Sequence, residues 1–188
     1  TIGYHRYFTH GSFKAGRGLK IALGVMGSMA LQGSVARNFD VAFIDGLHVF
    51  EQVVRDLTNT LARTGWRSAI LIDDTVPVDV FSSLPSHRDA IRFRRQSGGA
   101  NAQWHGDVFK IVFLIHDFFP FLDYRTIVGS GNPQTLVWRA AGLARRPVFN
   151  DVERISRLDW FALQAHPDVM QTAAEAEAID LCVRAIEG

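Results

Sequence analysis

Cysteine is almost absent: Cys182 is the one thiol in 188 residues. That excludes a disulfide framework and a metal site built from thiolates alone, and it fits a reducing, cytoplasmic setting. An excess of one charge sign is also lacking. Charged residues make up 21% of the chain and the formal net charge is +1, so nothing electrostatic points to nucleic acid or to a membrane surface as partner. Long apolar runs are missing. The stretch 21–31 stops at Gln32, short of the about 20 residues a bilayer-spanning helix needs, so no stable membrane insertion is expected. That stretch also lies too far into the chain for a secretory signal, and no usual cleavage site follows it. There is no internal repeat and no low-complexity tract. The chain begins at Thr1, which reads as a fragment edge. What is present is 47% hydrophobic, enough for one domain with a real core.

The texture changes between residues 33 and 38. Before it the chain is rich in glycine, histidine and aromatics. After it come the strand and helix patterns of an α/β protein. Two regions follow from this, residues 1–36 and residues 37–188, with Gly33, Ser34 and Asn38 marking the boundary.

In the second region, Phe39–Ile44 is a short apolar run that ends in Asp45-Gly46, the pattern of a buried parallel strand. Leu47, Phe50, Val53, Val54, Leu57 and Leu61 then recur at helical spacing, predicting a helix over 47–64 that Gly65 ends as a C′ glycine. Residues 69–72 are a second buried strand ending in Asp73-Asp74, which completes a βαβ unit. A loop with Pro77 and Pro85 leads to an arginine-rich stretch, 87–96. Asp107 is placed to cap a helix running to about residue 118, apolar almost all round and hence buried. Residues 122–128 and 135–138 form an antiparallel hairpin around the loop 129–133. Two helices are expected last, over 151–163 and 168–187.

In a parallel sheet, ligands gather outside the carboxyl ends of the strands. Asp45, Asp73 and Asp74 all stand at such ends. Three carboxylates at one edge repel one another unless something positive neutralises them, and a hard divalent cation such as magnesium does that. The same residues also serve as helix caps or turn starters. His48, one turn beyond Asp45, suits a general base because imidazole titrates near neutral pH, although a histidine at such a place is more often a surface or satisfied one. Arg88, Arg92, Arg94 and Arg95 read as a solvated face, with anion binding as the alternative. The lone Gly129-x-Gly131 and Gly16-x-Gly18 pairs carry almost no information.

At these residues the chain resembles a known family. FDVAFIDGLHVFEQVVRDL, AILIDDTVP, WHGDVFKIVFLI and the hairpin after them resemble class I S-adenosylmethionine-dependent methyltransferases of the small-molecule O-methyltransferase type, over about 39–138. The resemblance implies a Rossmann-like α/β sheet whose last strand runs antiparallel, here a partial one: the βαβ unit, a closing hairpin and C-terminal helices. It implies S-adenosylmethionine as cofactor, with Asp45 and Gly46 on the cofactor's far wall, and a small-molecule acceptor. In metal-dependent members, acids at the ends of two neighbouring strands hold a divalent cation; those positions match Asp45, Asp73 and Asp74. The sequence departs from the family before Phe39, where the glycine-rich loop and the ribose-binding acid have no counterpart.

Residues 2–33 resemble something else, the first histidine box of membrane acyl-CoA (fatty acid) desaturases. His5 and His10 match its HRxxxH motif, whereas Gly11 stands where an arginine is expected. The two further histidine boxes are missing, so active desaturation is not expected. The expectation is a truncated methyltransferase-like domain fused to a desaturase-like fragment, weak or inactive alone, with an oligomer compatible. The alternatives are a fragment of a membrane desaturase and a non-catalytic interaction domain. Residues 19–31 are expected to be helical and packed on the sheet.

Overall fold

The structure, a computed structural model, describes residues 39–129 and 131–188. The expectation for residues 19–31 falls outside them.

Two apolar runs lie side by side as parallel strands: β1 (Phe39–Ile44) and β2 (Thr64–Ile72) pair with Val41 opposite Ala69 and Ile44 opposite Ile72. The connection between them is α1 (Phe50–Leu61), whose buried Phe50, Val53 and Leu57 form one helical stripe. After β2 come α2 (His87–Gln96) and α3 (Lys110–Phe118). Then β3 (Leu122–Ile127) and β4 (Gln134–Arg139) form the antiparallel hairpin. The chain ends with α4 (Val152–Ser156), α5 (Trp160–Ala165), a 3₁₀ turn (Pro167–Met170), β5 (Thr172–Ala173) and α6 (Glu175–Glu187).

The sheet is mixed and open, in the order β1-β2-β4-β3-β5. The last hairpin strand, β4, inserts between β2 and β3 and runs antiparallel to both. Alternation along the strands divides the core in two. Ile70, Ile72 and Val137 face the larger cluster with α1 and α3. Ala69, Leu71, Leu136 and Trp138 face the smaller one, with Ala178 and Cys182 of α6. Helices thus cover both faces, the α/β arrangement expected. Val41 and Phe43 of β1 stay exposed. Among the described residues no helix is long and apolar enough to cross a membrane.

Several element ends differ from expectation. Helix α1 stops at Leu61, because Ala62 caps it in a right-handed conformation with its N–H on the Thr58 carbonyl, and the Arg63 N–H closes the end on the Thr60 carbonyl. No left-handed residue is needed there, and Gly65 lies inside β2, where the register with β1 shifts. The helix expected over 151–163 is two helices: α4 is capped by Asp151, and Asp159 starts α5 by accepting the Ala162 N–H. The last helix begins at Glu175, not 168, since Gln171 is left-handed and residues 172 and 173 pair with β3 instead. Helix α3 begins at Lys110 with no side-chain cap, so Asp107 does not cap it. In the arginine-rich helix, Arg88, Arg92 and Arg95 are solvated as expected. Arg94 is buried, ion-paired with Asp79 at 2.6 Å and donating to the Gln103 carbonyl.

Candidate metal centre

The carboxyl end of the β1–β2 pair carries the site. The ladder closes there with the Asp73 N–H donating to the Ile44 carbonyl at 3.0 Å, which leaves Asp45 and Asp73-Asp74 side by side at the strand ends. The next step of the backbone separates the two neighbouring acids. Asp74 adopts a left-handed conformation, φ 60°, uncommon for a residue with a Cβ. Its side chain turns into the fold, where it is 11% exposed. Asp73 turns the other way, and its Oδ1 accepts from Asn132 Nδ2 at 2.9 Å and from Gln134 Nε2 at 3.1 Å.

His48 comes to Asp74 from the loop between β1 and α1. Its Nε2 stands 3.0 Å from Asp74 Oδ2 and 3.8 Å from Asp45 Oδ1. Its Nδ1 lies 3.1 Å from the Trp104 carbonyl oxygen. A carbonyl only accepts, so Nδ1 carries the hydrogen and Nε2 is the atom presented to the two carboxylates. The Trp104 indole stacks on the His48 ring at 4.9 Å with an interplanar angle of 16°, and its Nε1 donates to the Leu84 carbonyl.

A second layer holds Asp74. Asn132, from the hairpin loop, donates through Nδ2 to Asp74 Oδ1 at 2.7 Å. Its Oδ1 accepts from His105 Nε2 at 3.1 Å. His105 is buried, and the same Nε2 lies 4.0 Å from Asp74 Oδ1. Burial is the largest influence on the Asp74 carboxyl and raises its pKa, against the lowering effect of Asn132 and His48.

Asp45, His48 and Asp74 each offer one donor atom, and these atoms lie within 4.8 Å of one another. Ligand bonds of about 2.0–2.3 Å place neighbouring donors about 3 Å apart, a spacing that His48 Nε2 and Asp74 Oδ2 already have at 3.0 Å. The donor chemistry, two carboxylates and one imidazole, fits a divalent cation. Asp73 was expected in this set; its carboxylate is instead engaged by Asn132 and Gln134. Gly46, expected near a cofactor, lies so close to α1 that a Cβ there would come within 2.9 Å of Asp56 Oδ2.

Sequence reasoning assigned no role to Trp104, His105 and Gly106, and read Asp107 only as a cap of the helix after it; the four residues lie together beside His48. Gly106 has φ +63°, and a Cβ there would lie 1.6 Å from the His48 carbonyl oxygen. Only glycine lets this segment cross His48 so closely. The available signal was the quartet itself, polar residues around a glycine just ahead of an apolar helix. Comparison of the chain with family models, curated proteins and solved structures returns no match.

Proposed function

We propose that residues 39–188 form the acceptor-binding part of a class I methyltransferase-like domain of the small-molecule O-methyltransferase type. One observation carries the reading: acids from the carboxyl ends of two parallel neighbouring strands, Asp45 and Asp74, converge with His48 on one point. Strand β4, antiparallel and last in the chain's hairpin, agrees with the closing strand that such a fold carries. A divalent cation bound at that point supplies a Lewis acid that lowers the pKa of an acceptor hydroxyl. The protein's own part is to aim the donors. Trp104 orients His48, and Asn132 with His105 orients Asp74. The methyl donor, S-adenosylmethionine, lies against Asp45 and Gly46 in this reading. Methyl transfer needs the donor held in line with the acceptor oxygen. The glycine-rich loop and the ribose-binding acid that do this have no counterpart in the sequence before Phe39, so the chain alone binds the donor weakly and turns over slowly or not at all.

A titration of the isotope-labelled chain with S-adenosylmethionine up to millimolar concentration tests this. Amide shifts centred on Asp45 and Gly46, with an affinity weaker than micromolar, are expected. Shifts elsewhere, or none at millimolar donor, overturn the methyltransferase reading. Micromolar affinity overturns the incomplete pocket.

A further inference from the structure

The cation's ligand set follows from which donor atoms converge: those of Asp45, His48 and Asp74 lie within 4.8 Å of one another. Asp73 is the acid that a reading from strand ends alone places beside Asp45 and Asp74. Its Oδ1 is taken by two amide donors, Asn132 and Gln134. His48 is in the opposite position. Its Nδ1 is tied to the Trp104 carbonyl, its ring is stacked on the Trp104 indole, and its Nε2 faces Asp74 and Asp45. An imidazole whose far nitrogen donates to a backbone carbonyl is the usual outer support of a metal-bound histidine, because it sets the tautomer and the ring angle. The neutral form leaves a lone pair on Nε2 pointing at two anions. That contact is unfavourable unless a cation, either a second ring proton or a metal ion, stands between them.

Resting on the proposed function, we infer that His48 Nε2 is a metal ligand together with Asp45 and Asp74, and that Asp73 is not. The ion is then a first-row transition cation such as zinc, cobalt or manganese. Magnesium prefers oxygen ligands in a near-octahedral shell, whereas imidazole favours the transition series. His48 as a ligand does not act as the free base, so an acceptor hydroxyl loses its proton to solvent or to another group. Trp104 and Asn132 are positioning residues that hold His48 and Asp74 in place.

The experiment uses the full 188-residue chain, stripped of metal and titrated separately with Zn²⁺, Co²⁺, Mn²⁺ and Mg²⁺ by calorimetry. Binding of Co²⁺ and Zn²⁺ at least about tenfold tighter than Mg²⁺ is expected. His48→Gln should weaken Co²⁺ binding about tenfold or more and change the visible Co²⁺ spectrum, while Asp73→Asn leaves the affinity within about twofold. Pulsed EPR of the Mn²⁺-loaded wild type should show coupling to one imidazole nitrogen, a readout that needs no variant to fold. Mg²⁺ binding tightest, lost in Asp73→Asn and untouched in His48→Gln, overturns the ligand set and leaves the methyltransferase reading standing. Absence of nitrogen coupling, or no binding of any of the four ions to the folded chain, also overturns it. The donor titration then decides separately whether the methyltransferase reading survives.

Discussion

The Asp107 carboxylate accepts the Phe50 backbone N–H at 2.7 Å. Asp107 stands ahead of α3, yet it caps α1, whose own N-cap residue, Val49, has no side chain that can do so. The other carboxylate oxygen pairs with buried Lys110 at 2.8 Å, and Lys110 Nζ donates on to the Ser156 carbonyl. One ion pair therefore joins α1, α3 and α4, two residues beyond His48.

Removing half of this pair should cost more than removing all of it. Asp107→Ala loses the cap and leaves the Lys110 charge buried alone, a loss of about 3–5 kcal/mol. Asp107→Leu combined with Lys110→Met should be clearly milder than Asp107→Leu alone, because no uncompensated charge remains. Urea denaturation of the singles and the double checks this. A double variant as unstable as the sum of the singles would mean that the pair's members act independently.

Gly106 and Gly129 separate crowding from backbone strain. Both have positive φ, but a Cβ at Gly129 meets nothing within 4 Å while one at Gly106 collides with the His48 carbonyl. Gly129→Ala should lose only about 1 kcal/mol for the left-handed backbone. Gly106→Ala should lose several times that and displace His48, abolishing any cation-induced rise in melting temperature. Equal losses at the two positions would show that the Gly106 segment yields without strain.

Asp117 should contribute to acid sensitivity. Burial pushes its carboxyl up, but His116 and the backbone N–H groups of Val148, Phe149 and Asn150 together outweigh burial and hold it below the usual carboxylate range. A depressed folded-state pKa gives stability that is present above the unfolded value near 4 and is lost as pH falls through the folded one. The wild type should therefore lose stability on acidification below about pH 4 more steeply than Asp117→Asn. At pH 7 the variant should be less stable by about 1–3 kcal/mol. Parallel slopes for the two proteins in that range would contradict the assignment.

Cys182 is buried between α6 and the sheet, and burial pushes its thiol up to about 11. The thiolate is the reactive form, so a disulfide reagent at pH 8 should label the native chain slowly. Labelling should accelerate sharply once denaturant opens the fold. Rapid labelling of the native protein would mean that α6 detaches from β4 readily.

Local pattern alone determined much of the fold. The apolar runs at Phe39–Ile44 and 69–72, the stripe of Phe50, Val53 and Leu57, and the hairpin were all legible, because strand and helix periods are written into neighbouring residues. So was the placing of Asp45, His48 and Asp74 at one edge, since strand ends of a βαβ unit must meet there. What local pattern could not decide was which of two adjacent acids turns inward. That depends on the left-handed φ of Asp74 and on Asn132 and Gln134, brought from the far hairpin. Likewise the helix that Asp107 caps, the burial of Arg94 against Asp79, and the fit of Gly106 against His48 are contacts between residues distant in sequence. No periodicity records them. They exist only because packing the two faces of the sheet brings a cap without a side chain, an unpaired charge and a crowded carbonyl to where these residues can meet them.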